Sequence, residues 1–169
     1  MKIFLLGFMG SGKSAAGRIL AEKLKLEFMD FDRYVEKETG RTVAVIFETE
    51  GEEKFRLVEQ QYLKKIITED NSVIALGGGT PCFHNNIELI NKNGTSVFIE
   101  TGVDELVKRL LRSKNPRPLI LGKNEAELKL FIETVLEKRN PYYRQAHHTV
   151  KAGSQTIDEV AGQILKIIP

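Results

Sequence analysis

The sequence predicts an α/β protein in three layers, with helices on both faces of a central parallel sheet of five strands. Three observations lead there. Short apolar runs alternate with longer helical patterns along the whole chain. Runs such as SVIAL (72–76) and SVFIE (96–100) are continuously apolar, as strands buried on both faces are. Directly after the first apolar run, GFMGSGKS (7–14) has the G-x-x-x-x-G-K-[ST] spacing of a phosphate-binding loop, which joins a strand to a helix.

The elements follow in order. Lys2–Leu6 (KIFLL) is the first core strand, and Lys13–Leu24 is the helix behind the glycine-rich loop. Glu27–Asp30 is the second strand, followed by helices over Asp32–Thr39 and Glu52–Thr68. After the strand Ser72–Leu76, a helix is expected over Pro81–Asn91, with Thr80 as its cap and Pro81 in its first position. Then come the strand Ser96–Glu100, the helix Val103–Arg112, a helix over Glu125–Asn140 ended by a proline, and the strand His148–Lys151. The apolar ladder of EVAGQILKII places the last helix, Thr156–Ile167, against the sheet. One segment breaks the rhythm. RSKNPRPLILGKNEAE (112–127) has two prolines, a glycine and clustered cations between two helices. A connection of that length in a compact domain is usually functional or disordered. It reads as a mobile lid over about 112–126, with a solvated surface loop as the plain alternative.

The 169 residues suit a single domain, 1–169, with a full core. Lys and Arg number 25 against 23 Asp and Glu, too balanced to argue for a nucleic-acid or membrane partner. Cys82 is the one cysteine, so no intrachain disulfide is possible, which fits a reducing compartment and a cytoplasmic protein. IFLLGFMG is too short for a membrane span. Nothing suggests an extensive apolar interface, so a monomer is expected.

The loop dictates the first chemistry. Gly10, Ser11 and Gly12 let backbone N–H groups turn inward around an anion, and the helix beginning near Lys13 adds its positive end. Lys13 can reach the β- and γ-phosphates, and the Ser14 hydroxyl can ligate Mg²⁺. A guanine-reading N-K-x-D is approached by NKNG, but Gly94 stands in the aspartate's place. SVIALGGG closes on glycines where a ring or motor ATPase wants an acid. A small-molecule kinase is left in front. In FMDFDRY, Asp30 and Asp32 stand two apart at the end of a strand, where alternation aims both the same way. One could hold the metal through water and the other accept a proton, or Asp32 could simply cap the next helix. Arg56 and Glu59, three apart on a helix, read first as an ordinary surface ion pair. Gly77, Gly78 and Gly79 cost conformational entropy and suit a backbone that a ligand must approach closely. Arg139, shortly before a proline, could be a helix-end charge and nothing more.

Taken in order, GFMGSGKS, DFD, FRLVE, GGG, RPL and RNPYY resemble the shikimate kinase family, from the loop to about Val150. The resemblance implies a nucleoside-monophosphate-kinase-like P-loop fold with substrate-binding helices at about 32–62. It implies transfer of the γ-phosphoryl of ATP, with Mg²⁺, to the 3-hydroxyl of shikimate, a step toward chorismate and the aromatic amino acids. On that likeness Asp32 orients and deprotonates the hydroxyl, and Asp30 sits in the Mg²⁺ shell beside Ser14. Arg56 and Arg139 grip the carboxylate, Glu59 fixes Arg56 from behind, and Gly78 and Gly79 admit the ring. Arg117 swings in with the lid to meet the transferring phosphoryl.

The chain departs from the family pattern at several points. Ala15 stands where a second hydroxyl is usual, and Pro81 replaces an apolar residue after the glycines. Arg109 and Arg112 both qualify as the arginine against adenine, with Pro116 marking a one-residue shift. KAGSQT keeps little of the adenine-side pattern. Two other functions compete. A gluconate-type P-loop kinase would keep loop and lid but need not keep Arg56, Arg139 and the three glycines. A catalytically silent nucleotide-binding module would be expected to lose Asp32 or Arg117 first. Cys82 reads as a small half-buried residue, and His84, His147 and His148 show no metal-ligand spacing.

Overall fold

The structure, a computed structural model, describes residues 1–114 and 117–169; Pro116 lies outside the described residues, as does part of the lid segment. Among the described residues, β1 (Lys2–Leu6), β2 (Glu27–Asp30), β3 (Ser72–Ala75), β4 (Thr95–Glu100) and β5 (His148–Lys151) form one sheet in the order β2-β3-β1-β4-β5. Every pairing is parallel, with Leu5 opposite Ala75 on one side and Val97 on the other. Successive residues of β1 feed opposite faces. Phe4 and Leu6 join a core shared with Phe31, Leu63, Ile74, Phe98, Ile132 and Tyr143. Ile3 and Leu5 join a second core with Leu20, Val73, Val97, Val150 and Ile164. Both faces are covered at the centre of the sheet, which is why β1, β3 and β4 are largely apolar, whereas the edge strands β2 and β5 carry polar residues.

The helices make the outer layers. α1 (Lys13–Leu24) and α7 (Ile157–Ile167) pack on one face. On the other lie α2 (Phe31–Thr39), α3 (Val43–Ile66), α4 (Asn86–Asn93), α5 (Val103–Arg112) and α6 (Glu125–Tyr143). Capping boxes start α6 at Asn124 with Glu127 and α7 at Thr156 with Glu159. Among the described residues no helix is long and apolar enough to cross a membrane.

Three sequence expectations are corrected. The helix expected over Pro81–Asn91 is a short 3₁₀ turn, Thr80–Cys82, then α4 from Asn86. His84 and Asn85 between them take left-handed conformations, which no α-helix continues through. Thr80 is inside that turn, and its hydroxyl donates to Glu59 at 2.6 Å instead of capping. Next, α3 begins at Val43, before the expected Glu52, with Thr42 as its cap. It kinks at Gly51, where φ 81 and ψ 171 break the helical path. The β-branched run TVAVI hides the first half of that helix from a propensity reading. Finally, α6 does not stop before Pro141 but runs to Tyr143. Tyr143 is fully buried and donates its hydroxyl to the Gly78 carbonyl. Tertiary anchoring thus overrides the proline's cost.

The strand order places the crevice. The chain leaves β1 for the sheet's far edge at β2, returns through β3, then crosses to β4. Loops after β1 and β3 therefore meet at the carboxyl ends of adjacent strands, where parallel sheets bind their ligands.

Candidate active site

The loop after β1 is shaped by glycine conformations. Gly10 and Gly12 take φ 81 and 92, and Gly12 leads directly into α1. α1 begins with no side-chain cap and no acid in its first turn, so its N–H groups and positive end are left for an anion. Lys13 curls back over the loop and donates to the carbonyls of Gly7 at 2.8 Å and Phe8 at 2.9 Å. Burial, and then the Arg117 cation, push its pKa down to about 7, against the pull of Asp32. Ser11 is buried within the loop.

β2 ends at Asp30, so strand alternation does not extend to Asp32 as the sequence spacing suggested. Asp32 is instead the second residue of α2. The helix turn sends the two carboxylates to different places. Asp30 is the cap of α2, accepting from the Arg33 N–H, and it also accepts from the Ser14 hydroxyl at 2.8 Å. The capping role considered for Asp32 thus belongs to Asp30, and Asp32 is free to face the glycines after β3. There burial, then Glu59 and Asp30, push its pKa up to about 6.

The three glycines have a shared physical cause. None has a positive φ, so backbone freedom is not what requires them. Space is. A Cβ on Gly77 would lie 2.5 Å from Asp32 Oδ1, and one on Gly78 would lie 2.9 Å from Arg139 Nη1. One on Gly79 would overlap the Arg56 guanidinium. Each glycine has a charged side chain close against its backbone. Close approach to the backbone was expected of a ligand, and the protein's own charged groups make one as well.

Arg56 and Glu59 are no surface pair: they are 5% and 1% exposed. Arg56 Nη1 donates to Glu59 Oε2 at 2.6 Å, and Glu59 Oε1 accepts from Thr80. The guanidinium lies over the Phe83 ring at 4.3 Å, with Phe55 and Phe47 farther out. Arg139 lies a turn inside the end of α6, not at it, and faces the Phe8 ring. Of the two arginines of α5, Arg109 reaches the loop. It donates to the Gly10 carbonyl at 3.3 Å, the Gly153 carbonyl at 2.9 Å and Glu105 at 2.9 Å. It thereby ties the phosphate loop to the KAGSQT segment after β5, while Arg112 is exposed at the helix end. Arg117 is exposed, yet its charge bears on both Lys13 and Asp32. Cys82 is half-buried, and burial pushes its thiol up to about 11, so it stays protonated. His147 serves a structural bond, accepting at Nδ1 from the Ser96 N–H.

Four contributors escaped the sequence reading: Glu52, Thr80, Phe83 and Tyr143. Glu52 precedes Arg56 by four residues, a helical pairing that could have been found. The other three meet the site only through the fold.

Residues 9–169 match the family model for shikimate kinase. A shikimate kinase of Azobacteroides pseudotrichonymphae is 42% identical over 97% of this chain and 97% of that protein. The crystal structure of shikimate kinase from Bacteroides thetaiotaomicron superposes with a TM-score of 0.95 at 37% identity, over 99% of this chain and 97% of that one. Shikimate kinase from Acinetobacter baumannii, solved in complex with shikimate, gives 0.89 at 36% identity, over 98% and 91% of the two chains. With a phosphate loop facing three glycines that carry an acid and two arginines, and with likeness over nearly its full length, this chain belongs to the shikimate kinase family.

Proposed function

We propose that this protein transfers the γ-phosphoryl group of ATP to the 3-hydroxyl of shikimate. The observation that carries the reading is the row of Asp32, Arg139 and Arg56 on Gly77, Gly78 and Gly79. One acid and two cations in a row suit an acceptor with a hydroxyl at one end and a carboxylate at the other.

The roles follow from that row. Arg56 and Arg139 hold the carboxylate, which a planar guanidinium can meet with two parallel hydrogen bonds. Gly78 and Gly79 offer backbone N–H groups close to the ring. Asp32 lies at the hydroxyl end and accepts its proton as the oxygen attacks the γ-phosphorus. A carboxylate whose pKa is raised to about 6 is a better base than an ordinary one and is still ionised at neutral pH. Gly10, Ser11, Gly12, Lys13 and Ser14 hold the phosphates, and Arg109 stands on the nucleotide side of the loop. Lys13 and Arg117 meet charge spreading over the γ-oxygens, the main demand of a loose transition state. Closure of the segment 112–126 brings Arg117 in and keeps water from competing as acceptor.

Ser14 and Asp30 fit Mg²⁺. Both are hard oxygen donors, already 2.8 Å apart, and Mg²⁺ binds through one or two protein oxygens plus phosphates and water. When bound, the ion neutralises charge on the β- and γ-phosphates. Asp30 lies close enough to Asp32 to raise its pKa, so a cation held there also favours ionised Asp32. The enzyme works as a cytoplasmic monomer.

The test is ADP release from MgATP with shikimate, with gluconate and with no acceptor. Release that depends on shikimate is expected. Release with gluconate alone would keep the kinase and replace the acceptor, and ATP binding without release would point to a regulatory module.

A further inference from the structure

Arg56 has five N–H donors in a rigid fork. Nη1 is engaged from inside the protein by Glu59. The edge formed by Nε and Nη2 is the one that takes a carboxylate with two parallel bonds. That edge is already engaged. Nε donates to Glu52 Oε1 at 3.3 Å and Nη2 donates to the same oxygen at 3.1 Å. The two glutamates differ in one respect: the Glu59 side chain is 2% exposed and the Glu52 side chain 57%.

Glu52 is also placed at a break. It follows Gly51, whose φ of 81 kinks α3. A Cβ on Gly51 would touch nothing, so the glycine is required by its conformation and not by crowding. The kink begins a new helical segment at Glu52, one turn before Arg56. The arginine does not need Glu52 to stay in place, because Glu59 and the Phe83 ring hold it from other sides.

We propose that Glu52 is an internal stand-in for the acceptor's carboxylate. It occupies the open edge of Arg56 while the pocket is empty and gives that edge up to the incoming acid. The proposal rests on the reading of Arg56 as a carboxylate-binding residue. An acid entering this pocket meets three carboxylates, Asp32, Glu59 and Glu52. Glu52 is the most exposed of the three and has solvent to swing into, so it is the one that yields. The exchange swaps one carboxylate for another on the same donors and leaves Arg56 satisfied throughout. A neutral polyol has no charge to exchange for that of Glu52, so it leaves the Glu52–Arg56 pair in place. Glu52 therefore weakens acid binding somewhat and leaves the binding of uncharged ligands, which do not compete for that edge, as it is.

The experiment measures Kd by calorimetry for wild type, E52Q, E52A and R56K. The ligands are shikimate and the same ring triol without its carboxyl group. Both Glu52 variants should bind shikimate more tightly, by roughly two- to tenfold, the scale of a part-exposed ion pair. The triol, which never contests the edge, should bind them as it binds wild type. R56K should bind shikimate more weakly. If R56K binds shikimate weakly but neither Glu52 variant gains, the stand-in role is wrong and the Arg56 reading survives. Equal gains for shikimate and triol would also overturn it, as a general loosening of the pocket. If R56K binds shikimate like wild type, the Arg56 reading falls and the proposal falls with it.

Discussion

The two halves of the active site are built on opposite plans. The nucleotide half is backbone. Eight consecutive residues, 7–14, make a loop and a helix start whose N–H groups form the cradle, and only Lys13 and Ser14 add side-chain chemistry. The acceptor half is side chains brought from four distant segments: Asp32 on α2, Arg56 and Glu59 on α3, Gly77–Gly79 after β3, and Arg139 on α6. A backbone cradle depends on its glycines and on Lys13 and Ser14, and tolerates change at its other side chains, because peptide groups do not depend on them. A pocket of buried charges does not, because removing one partner strands another. Damage to the acceptor half should therefore be sharper and more selective than damage of similar size near the nucleotide.

The largest break in that comparison is Asp32→Asn. Turnover should fall by roughly 10²–10⁴-fold, the range for losing a general base, with ATP affinity nearly unchanged. A loss below tenfold would leave Asp32 an orienting group. The same variant carries a stability signature. The Asp32 pKa is raised from 3.8 to about 6, so the folded state holds this proton more tightly than the unfolded chain. Its destabilising effect is absent below the lower value, grows through that window and is complete above about 6. Asn removes it. The variant should melt higher than wild type at neutral pH, on the order of a few degrees, and the two should converge in acid.

Arg139→Ala comes next. It should cost about 2–5 kcal/mol of shikimate binding, as expected for a desolvated charge pair. An unchanged acceptor KM would make Arg139 a structural residue over Gly78. Gly79→Ala changes no charge at all. A methyl there collides with the Arg56 guanidinium, and a displacement near 1 Å can cost on the order of 10²-fold in kcat/KM. ATP binding by this variant should match wild type. If both substrates suffer equally, the two halves are not separable and the comparison fails.

The smallest effect lies in the nucleotide half. Lys13 in the free protein titrates near pH 7 because it is buried beside Arg117, and bound polyphosphate favours its charged form. ATP binding should then take up protons, and affinity should fall as pH rises above that value, by no more than about tenfold per pH unit. Calorimetry in buffers of different ionisation heat reads the uptake directly. A Kd that is flat with rising pH would show that Lys13 keeps its proton throughout.

Much of the fold was legible beforehand, and the reasons are local. A strand buried on both faces is largely apolar, so the inner strands could be read from runs such as KIFLL and SVFIE, while the polar edge strands β2 and β5 were placed by the alternation of strands and helices. The apolar ladder of EVAGQILKII placed the last helix over 156–167, within a residue of the observed start of α7. Misplaced boundaries lay where a distant contact outweighed local preference. Tyr143 carries α6 past Pro141 by anchoring on Gly78, and His84 and Asn85 break the expected helix after Pro81. The first half of α3 went unseen because its residues individually prefer strands.

The sequence by itself determined the phosphate loop, the parallel sheet and the inventory of charged residues, because each rests on neighbours along the chain. Tertiary structure alone decided which charges are buried and which carboxylate caps a helix. It turned Arg56 and Glu59 from an apparent surface pair into a buried one, and it gave the capping role to Asp30, leaving Asp32 for Gly77. Burial depends on what other segments bring, and desolvation by those segments sets what a carboxylate or an amine can do.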